Sequence, residues 1–394
     1  DVLVSWLPPY HDLGLIGCIV QPVFGGHSST LMTPAAFLQD PRRWLRALSD
    51  YRATVTMAPN FAFEMCQAAS ESDDLGLLDL SPLRYAIMGG EPVRPDTLTR
   101  FASRFRSAGF RPTAFAPGYG LAETTLQVTM THVDAEPAVV LEPGDRNAGT
   151  DDGASPIRGT VSNGPPIEGH DLRIVDPETF EEMPAGEAGE VWVSGPTITL
   201  GYWNRPDQTA STFNFEIAKQ EGSGPFLRTG DLGRLIAGEL HVFGRMKEMI
   251  IIRGRNHYPS DIEATVAACH PELDFDSTIA FGVESPDGEG LVIVQGLSRK
   301  TYRTLDAHSI FTAIRRAVID AHDVSPAAIV LVRPGTLPRT TSGKPQRLKA
   351  RTQYIVGTLP IVARSPASEP LGAQGKPAPI GRSEASARIL AEPA

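Results

Sequence analysis

The stretch Arg228–Glu263, RTGDLGRLIAGELHVFGRMKEMIIIRGRNHYPSDIE, decides the reading of this chain. It opens with a carboxylate, Asp231, placed on a tight turn by Thr-Gly-Asp. Arg234–Ile236 and Leu240–Phe243 read as a hairpin pair with Gly238 at the turn. Gly244-Arg245-Met246-Lys247 and a β-rich run, Met249–Ile252, follow. A helix is then expected, because Ser260 and Glu263 have the spacing of a capping box, in which each side chain satisfies a free backbone donor of the first turn. The sequence reads as a large α/β domain before this stretch and a small α+β domain after it. The stretch is therefore a joint, with residues 1–245 on one side and 246–363 on the other.

Upstream of the joint, strands and helices alternate. Val2–Leu7 is a buried strand that Pro8-Pro9 stops, since proline cannot continue a ladder. Leu13–Val20 is an apolar segment suited to a helix, and Asp40-Pro41 is a helix start with Trp44, Leu45, Leu48 and Tyr51 at helical spacing behind it. Thr54–Met57 and Leu83–Met88 are strands, each followed by a helical pattern. This alternation favours a mostly parallel sheet with helices on its faces. Leu172–Val175 and Glu190–Ser194 form a β-rich subdomain around Gly201-Tyr202-Trp203. Between them and the first unit, residues 131–159 lose all periodicity. Asp134, Glu136, Glu142, Asp145, Asp151 and Asp152 are interleaved there with Gly, Ala and Pro, which reads as an acidic surface loop or insertion. Residues 364–394 are rich in Pro, Ala, Ser and Gly and read as a linker or tail.

Composition narrows the class. The 394 residues, 41% hydrophobic and 21% charged, are enough for two ordinary globular cores. A net charge of −10 and the lack of a Lys/Arg run argue against a nucleic-acid surface. Cys18, Cys66 and Cys269 lie far apart, which supports neither a disulfide framework nor a zinc site and points to a reducing, cytoplasmic setting. No apolar run approaches the ~18 residues of a membrane helix. The chain begins at Asp1 directly in a strand pattern, which reads as the middle of a domain.

Four motifs bear chemistry. In Pro117–Thr125, PGYGLAETT, glycines on either side of Tyr119 allow close approach to a flat ligand while the ring stacks on it, and Glu123 offers an oxygen ligand suited to Mg²⁺. The same stretch also reads as a Gly-rich start of a helix. Gly89-Gly90-Glu91 sits at a strand end, where open α/β sheets bind ligands, though a tight turn needs the same residues. Asp231 can either cap a turn or accept two hydroxyls, and Arg245 adds a fork of donors nearby. Leu337–Lys344, LPRTTSGK, is a mobile, polar loop of small residues that presents one lysine, able to follow negative charge as it moves between two oxygens.

Together these motifs resemble the acyl-adenylate-forming, AMP-binding enzymes: acyl-CoA synthetases, nonribosomal adenylation domains and fatty acyl-AMP ligases. Gly254–Glu263, GRNHYPSDIE, is most similar to the fatty acyl-AMP ligases. The resemblance spans Asp1 to about Val362 and implies an α/β fold with a partial large domain and a small mobile one. It implies ATP-dependent activation of a fatty acid to acyl-AMP with Mg²⁺, then transfer to the phosphopantetheine thiol of an acyl carrier protein. Carried over residue by residue, it gives Tyr119, Gly120 and Thr124 with Gly89, Gly90 and Glu91 to the adenine side, and Glu123 to the metal. Asp231 falls to the ribose hydroxyls, Arg245 to ribose or phosphate, His11 (in Tyr-His-Asp-Leu-Gly) to the substrate carboxylate and Lys247 to the hinge. Lys344 falls to the adenylation step itself. Pro345 departs from the apolar residue usual after this lysine. The acidic 131–159 stretch corresponds to an insertion held to hinder CoA use.

The family's phosphate loop, of Thr-Ser-Gly-Ser/Thr-Thr-Gly pattern, does not occur in these residues and is expected upstream of Asp1. The chain as given is accordingly expected to be inactive or very weak by itself. Two alternatives stay open: a long-chain acyl-CoA synthetase using the same first half-reaction, and a non-catalytic remnant that lost its phosphate loop.

Overall fold

The computed structural model of the protein describes residues 1–70, 76–132, 134–141, 159–220, 222–273, 277–285, 288–340 and 343–365. A six-stranded sheet forms the first unit. Its strands are β1 (Val2–Ser5), β2 (Ser28–Leu31), β3 (Val55–Ala58), β4 (Tyr85–Met88), β5 (Phe115–Gly120) and β6 (Gln127–Met130), in the order β2-β1-β3-β4-β5-β6. β1 to β5 pair in parallel and only β6 runs antiparallel, against β5. Helices Arg42–Asp50, Asn60–Ala69 and Pro95–Arg104 cover this sheet with their apolar faces. Trp6 stacks on Phe37 at 4.1 Å, and Trp44, Phe63, Phe101 and Phe115 continue an edge-to-face aromatic chain through the core. Leu13–Val20 winds as a π-helix, with Asp12 accepting from the Leu13 N–H at 2.7 Å. The expected Asp40 cap holds in substance: its carboxylate accepts from the Arg42 N–H, although the helix begins one residue later.

An antiparallel sheet follows, β12-β11-β10-β9, made of β9 (Asp171–Val175), β10 (Gly189–Ser194), β11 (Leu227–Ile236) and β12 (Glu239–Arg245). The hairpin of the joint is the one the sequence announces, and is longer than expected. Ile236 faces Glu239 across a two-residue turn, with both Ala237 (φ 51°) and Gly238 (φ 83°) left-handed, the turn whose twist suits a hairpin. Asp231 is not on a turn but inside β11, in register with Arg245. A second short hairpin, β13 (Ile250–Ile252) and β14 (Arg255–His257), leads into helix Pro259–Ala268.

The capping box expected at Ser260 does not form. The helix starts at Pro259 with Tyr258 as its cap residue, and no side chain caps it. Glu263 is drawn away by stronger partners, accepting from the Ala280 N–H at 3.0 Å and from the guanidinium of Arg347. The last sheet runs β15-β16-β17-β18, from β15 (Thr278–Ser285), β16 (Gly288–Gly296), β17 (Ala328–Val332) and β18 (Ile361–Arg364). Helices Pro259–Ala268 and Ala307–His322 close its core around Ile262, Val266, Ile310, Ile314 and Ile329. Helix Arg347–Ile355 and β18 are elements that periodicity did not reveal.

Of the acidic 131–159 stretch, Val139–Leu141 forms a strand, β7, against β8 (Gly159–Val161). Glu142, Asp145, Asp151 and Asp152 lie outside the described residues, as does the tail from 366 onward. Among the described residues no helix is long and apolar enough to cross a membrane.

Candidate active site

The carboxyl ends of parallel strands leave a crevice where chains diverge, and ligands of open α/β sheets bind there. In this chain that edge opens into a cleft of about 850 Å³. Tyr10 and His11 reach it from beyond β1, Asn60 and Phe61 from beyond β3, Gly90 and Glu91 from beyond β4, and Gly118–Leu121 from β5 and just past it. Asp231, Arg245 and Glu248 line it from the joint, and Ser260, Glu263, Lys344 and Arg347 from the last unit. The structure therefore gathers nine of the residues singled out in the sequence: His11, Gly90, Glu91, Tyr119, Gly120, Asp231, Arg245 and Lys344 on the wall, and Gly89 at the end of β4 behind Gly90.

At one side of the cleft the Tyr119 hydroxyl donates to Asp231 Oδ2 at 2.7 Å. Arg245 Nε lies 3.4 Å from the other oxygen, Oδ1. Burial pushes the Asp231 carboxyl above its ordinary range, against the pull of Tyr119 and Arg245. Burial likewise, with Asp231 beside it, holds the Tyr119 phenol well above its usual value. A largely desolvated carboxylate with one oxygen only loosely engaged is a ready acceptor for hydroxyls.

Beyond the end of β4, Lys344 Nζ donates to the Gly90 carbonyl at 2.7 Å. Burial lowers the Lys344 pKa, while the Glu91 and Asp12 carboxylates work to raise it. Gly90 has φ 79°, which favours glycine, and a Cβ there would stand 2.5 Å from Lys344 Nζ, so a side chain would push the ammonium off the Gly90 carbonyl. Glu91 does not present a free carboxylate: its Oε1 accepts from the Phe61 N–H at 2.7 Å, tying the end of β4 to helix Asn60–Ala69. His11 Nδ1 sits 2.6 Å from Asp12 Oδ1. Burial works to raise the Asp12 carboxyl, yet the hydrogen bond and charge of His11 bring it below the ordinary range.

Three expected residues, Thr124, Glu123 and Lys247, stand apart from the wall, and Gly120 on the wall serves a second purpose. Thr124 is buried and its hydroxyl donates to the Leu121 carbonyl at 2.9 Å, a role internal to its turn. Gly120 is glycine for the neighbouring strand as much as for a ligand, because a Cβ there would overlap the Leu126 carbonyl at 1.7 Å. Glu123 lies beyond the wall, its Oε1 accepting from the Tyr202 hydroxyl at 2.6 Å. Lys247 is exposed on the single turn Met246–Glu248.

Several residues at the site were not singled out beforehand. Asn60 Nδ2 donates to Glu64 Oε1 at 3.2 Å and to Thr97 Oγ1 at 3.0 Å, and its carbonyl accepts from the Arg94 N–H at 3.1 Å. Arg94 Nη2 in turn donates to the Ser260 carbonyl at 2.7 Å, so this network reaches across the cleft into the last unit. Burial pushes the Glu64 carboxyl up to about 7, although Arg94 and Thr97 pull it down. Arg347 grips Glu263 with Nε and Nη2 at 2.8 and 2.6 Å, and Glu248 with Nη1 at 2.7 Å. A basic residue three places after a loop lysine, and an acid next to Lys247, were the only sequence signals for this last cluster.

A nucleotide-sized cleft, built at the carboxyl edge of a parallel sheet and lined as well by a lysine from a separate unit, is the layout of an adenylate-forming fold. The family model described as AMP-binding enzyme matches residues 1–203, and the chain belongs to that family. Residues 247–364 match a second model, the AMP domain of the Disco-interacting protein 2-like group. The chain is 42% identical over 373 residues to the medium-chain-fatty-acid–[acyl-carrier-protein] ligase JamA of Moorena producens, covering 91% of this chain and 62% of that protein. It is 41% identical over 362 residues to the putative fatty-acid–CoA ligase FadD21 of Mycobacterium tuberculosis, covering 89% and 62%. A solved structure from a study of fatty acyl-adenylate ligases of E. coli and L. pneumophila superposes with a TM-score of 0.78 at 32% identity, covering 91% of this chain and 63% of that one. The L. pneumophila fatty acyl-adenylate ligase in complex with acyl adenylate and pyrophosphate superposes at 0.60 and 32% identity, covering 93% and 64%. The chain thus spans about 62% of the length of the curated relatives it matches.

Proposed function

We propose that the protein activates a fatty acid with ATP, forming acyl-AMP and pyrophosphate, and passes the acyl group to the phosphopantetheine thiol of an acyl carrier protein. The observation that carries this reading is the single cleft in which Lys344 stands at the Gly90 carbonyl while the Tyr119–Asp231 pair holds the other side. In the first step a carboxylate oxygen bonds to the α-phosphorus, and the bond from that phosphorus to the bridging oxygen breaks, releasing pyrophosphate. Negative charge moves from carboxylate to phosphate oxygens, and the Lys344 ammonium on its loop is the donor suited to follow it. In the second step a thiol bonds to the acyl carbon and AMP leaves.

In this reading Asp231 accepts the ribose hydroxyls and Arg245 steadies ribose or phosphate. The Tyr119 ring, Gly120 and the Gly89–Glu91 strand end flank the base, and Thr124 fixes the turn that carries Tyr119. His11 orients the acid. Glu123 would hold Mg²⁺: a single carboxylate is enough when substrate phosphates complete the shell, and among the described residues no three acidic, His or Cys side chains form a site unaided. When bound, the ion shields the phosphate charges. Residues 1–245 act as the large domain, 246–363 as the mobile small one with its hinge at Lys247, and the assignment places the protein in the cytoplasm.

The relatives divide between carrier-protein and CoA acceptors in their names, so the CoA-ligase reading is the competitor that the acceptor experiment must exclude. The remnant reading is disfavoured by a lysine loop that still reaches Gly90. The test is fatty-acid-dependent exchange of labelled pyrophosphate into ATP by the complete protein. Exchange supports the reading, and its absence with every chain length refutes it.

A further inference from the structure

We propose that Arg347 is a positioning residue that holds Lys344 in register with the Asp231–Arg245 side of the cleft, by clamping the lysine loop to the joint. This rests on the adenylate-forming reading of the site.

The described residues of the lysine loop are tied to one another. The Lys344 N–H donates to Thr340 Oγ1 at 3.0 Å, the Thr340 N–H to the Lys344 carbonyl at 2.8 Å, and the Gln346 N–H to the Pro338 carbonyl at 2.9 Å. These bonds couple Lys344 to the residues that flank it, so its placement depends on what anchors them. Its C-terminal end is Arg347, the first residue of helix Arg347–Ile355. The Arg347 fork takes both oxygens of Glu263, on helix Pro259–Ala268, in the paired geometry that fixes orientation as well as distance. Its remaining nitrogen takes Glu248, on the turn Met246–Glu248 that directly follows Arg245.

Arg245 faces Asp231 across the β11–β12 ladder. One guanidinium therefore links the loop bearing Lys344 to the short segment bearing Arg245. Glu263 and Glu248 are both largely sheltered, so the clamp works in a medium where a flexible, differently shaped ammonium is a poor substitute for the planar fork. The three side chains also line the cleft wall, which leaves little slack between anchor and site.

The test uses the complete protein and two variants, Arg347→Lys and Glu248→Gln, in single-turnover acyl-AMP formation with ATP and fatty acid varied separately. Misplacing a reacting group by about 1 Å can cost about a hundred-fold in rate. Arg347→Lys is expected to lower kcat about ten- to a hundred-fold with KM for ATP within about two-fold of wild type. Glu248→Gln, which removes only the arm to the joint and leaves the Glu263 pair, is expected to lower kcat by several-fold at unchanged Tm. The double variant should be no worse than Arg347→Lys, because both act through one link. If Arg347→Lys does not fold, Glu248→Gln decides alone. Wild-type kcat in a folded Glu248→Gln, or a rise in KM with kcat unchanged, overturns the inference. A wild-type protein that forms no acyl-AMP would instead overturn the underlying functional reading.

Discussion

Lys344 and Gly90 are 254 residues apart in sequence, and the lysine ammonium donates to the glycine carbonyl at 2.7 Å. That bond joins the end of β4 to the loop of the last unit and sets where the Lys344 ammonium stands.

Removing the ammonium should slow chemistry without emptying the cleft. Lys344→Ala is expected to lower the rate of acyl-AMP formation by on the order of 10²–10³, the cost of deleting one preorganised donor. Nucleotide affinity, which the proposed reading assigns to the Asp231 side, should change little. Rapid-quench adenylation together with nucleotide titration checks both halves. A rate within two-fold of wild type would contradict the role.

Gly90→Ala attacks the same contact from the other partner. The left-handed φ opposes a methyl group, and the 2.5 Å approach means that one would displace the Lys344 ammonium. The variant should fold, since strain of about 1–3 kcal/mol is within a domain's reserve, yet lose activity comparably to Lys344→Ala. Near-normal activity would show that Lys344 does its work away from Gly90.

Asp231→Asn keeps shape and removes charge. Hydrogen bonds to a charged acceptor contribute about 1.5–3 kcal/mol each. Nucleotide affinity should therefore weaken by at least ten-fold, measured by calorimetry with a non-hydrolysable ATP analogue. Unchanged affinity would remove Asp231 from the ribose side.

Glu64 makes stability depend on pH. Its ordinary value of 4.5 is pushed up to about 7 in the fold. Between these values the folded state holds a proton that the unfolded chain has released, so stability falls as pH rises through the window and levels off above about 7. The loss is roughly 3 kcal/mol for a shift of this size. Urea denaturation of Glu64→Gln should show this loss missing, so the variant gains on wild type from pH 5 to pH 8. Parallel pH profiles would refute the assignment.

Much of this site was legible because its residues sit in local patterns. Pro117–Thr125, Thr229–Asp231 and the loop ending at Lys344 each announce a chemistry from neighbours in sequence. The parallel sheet was legible from alternating periods, and the β11–β12 hairpin from Gly238. What stayed hidden is long-range. Nothing local tells that Glu263 would serve Arg347 and Ala280 rather than its own helix start, or that the Glu91 carboxylate would be taken by the Phe61 N–H. Asp231 was mistaken for a turn residue because Thr-Gly-Asp has turn composition, whereas the ladder with Arg245 absorbs the left-handed Gly230 inside a strand. Arg94 escaped notice because a single arginine before a helix has no pattern, and its bond to Ser260 crosses 166 residues.

The most direct test of the central claim incubates the complete protein with ATP, Mg²⁺ and a long-chain fatty acid, with CoA or with a phosphopantetheinylated acyl carrier protein, and weighs the products by mass spectrometry. The account predicts acyl-AMP that persists in the presence of CoA and is converted to acyl-carrier thioester when the carrier is added. Efficient acyl-CoA formation would contradict the carrier-protein reading, and a failure to form acyl-AMP under any of these conditions would contradict the account as a whole.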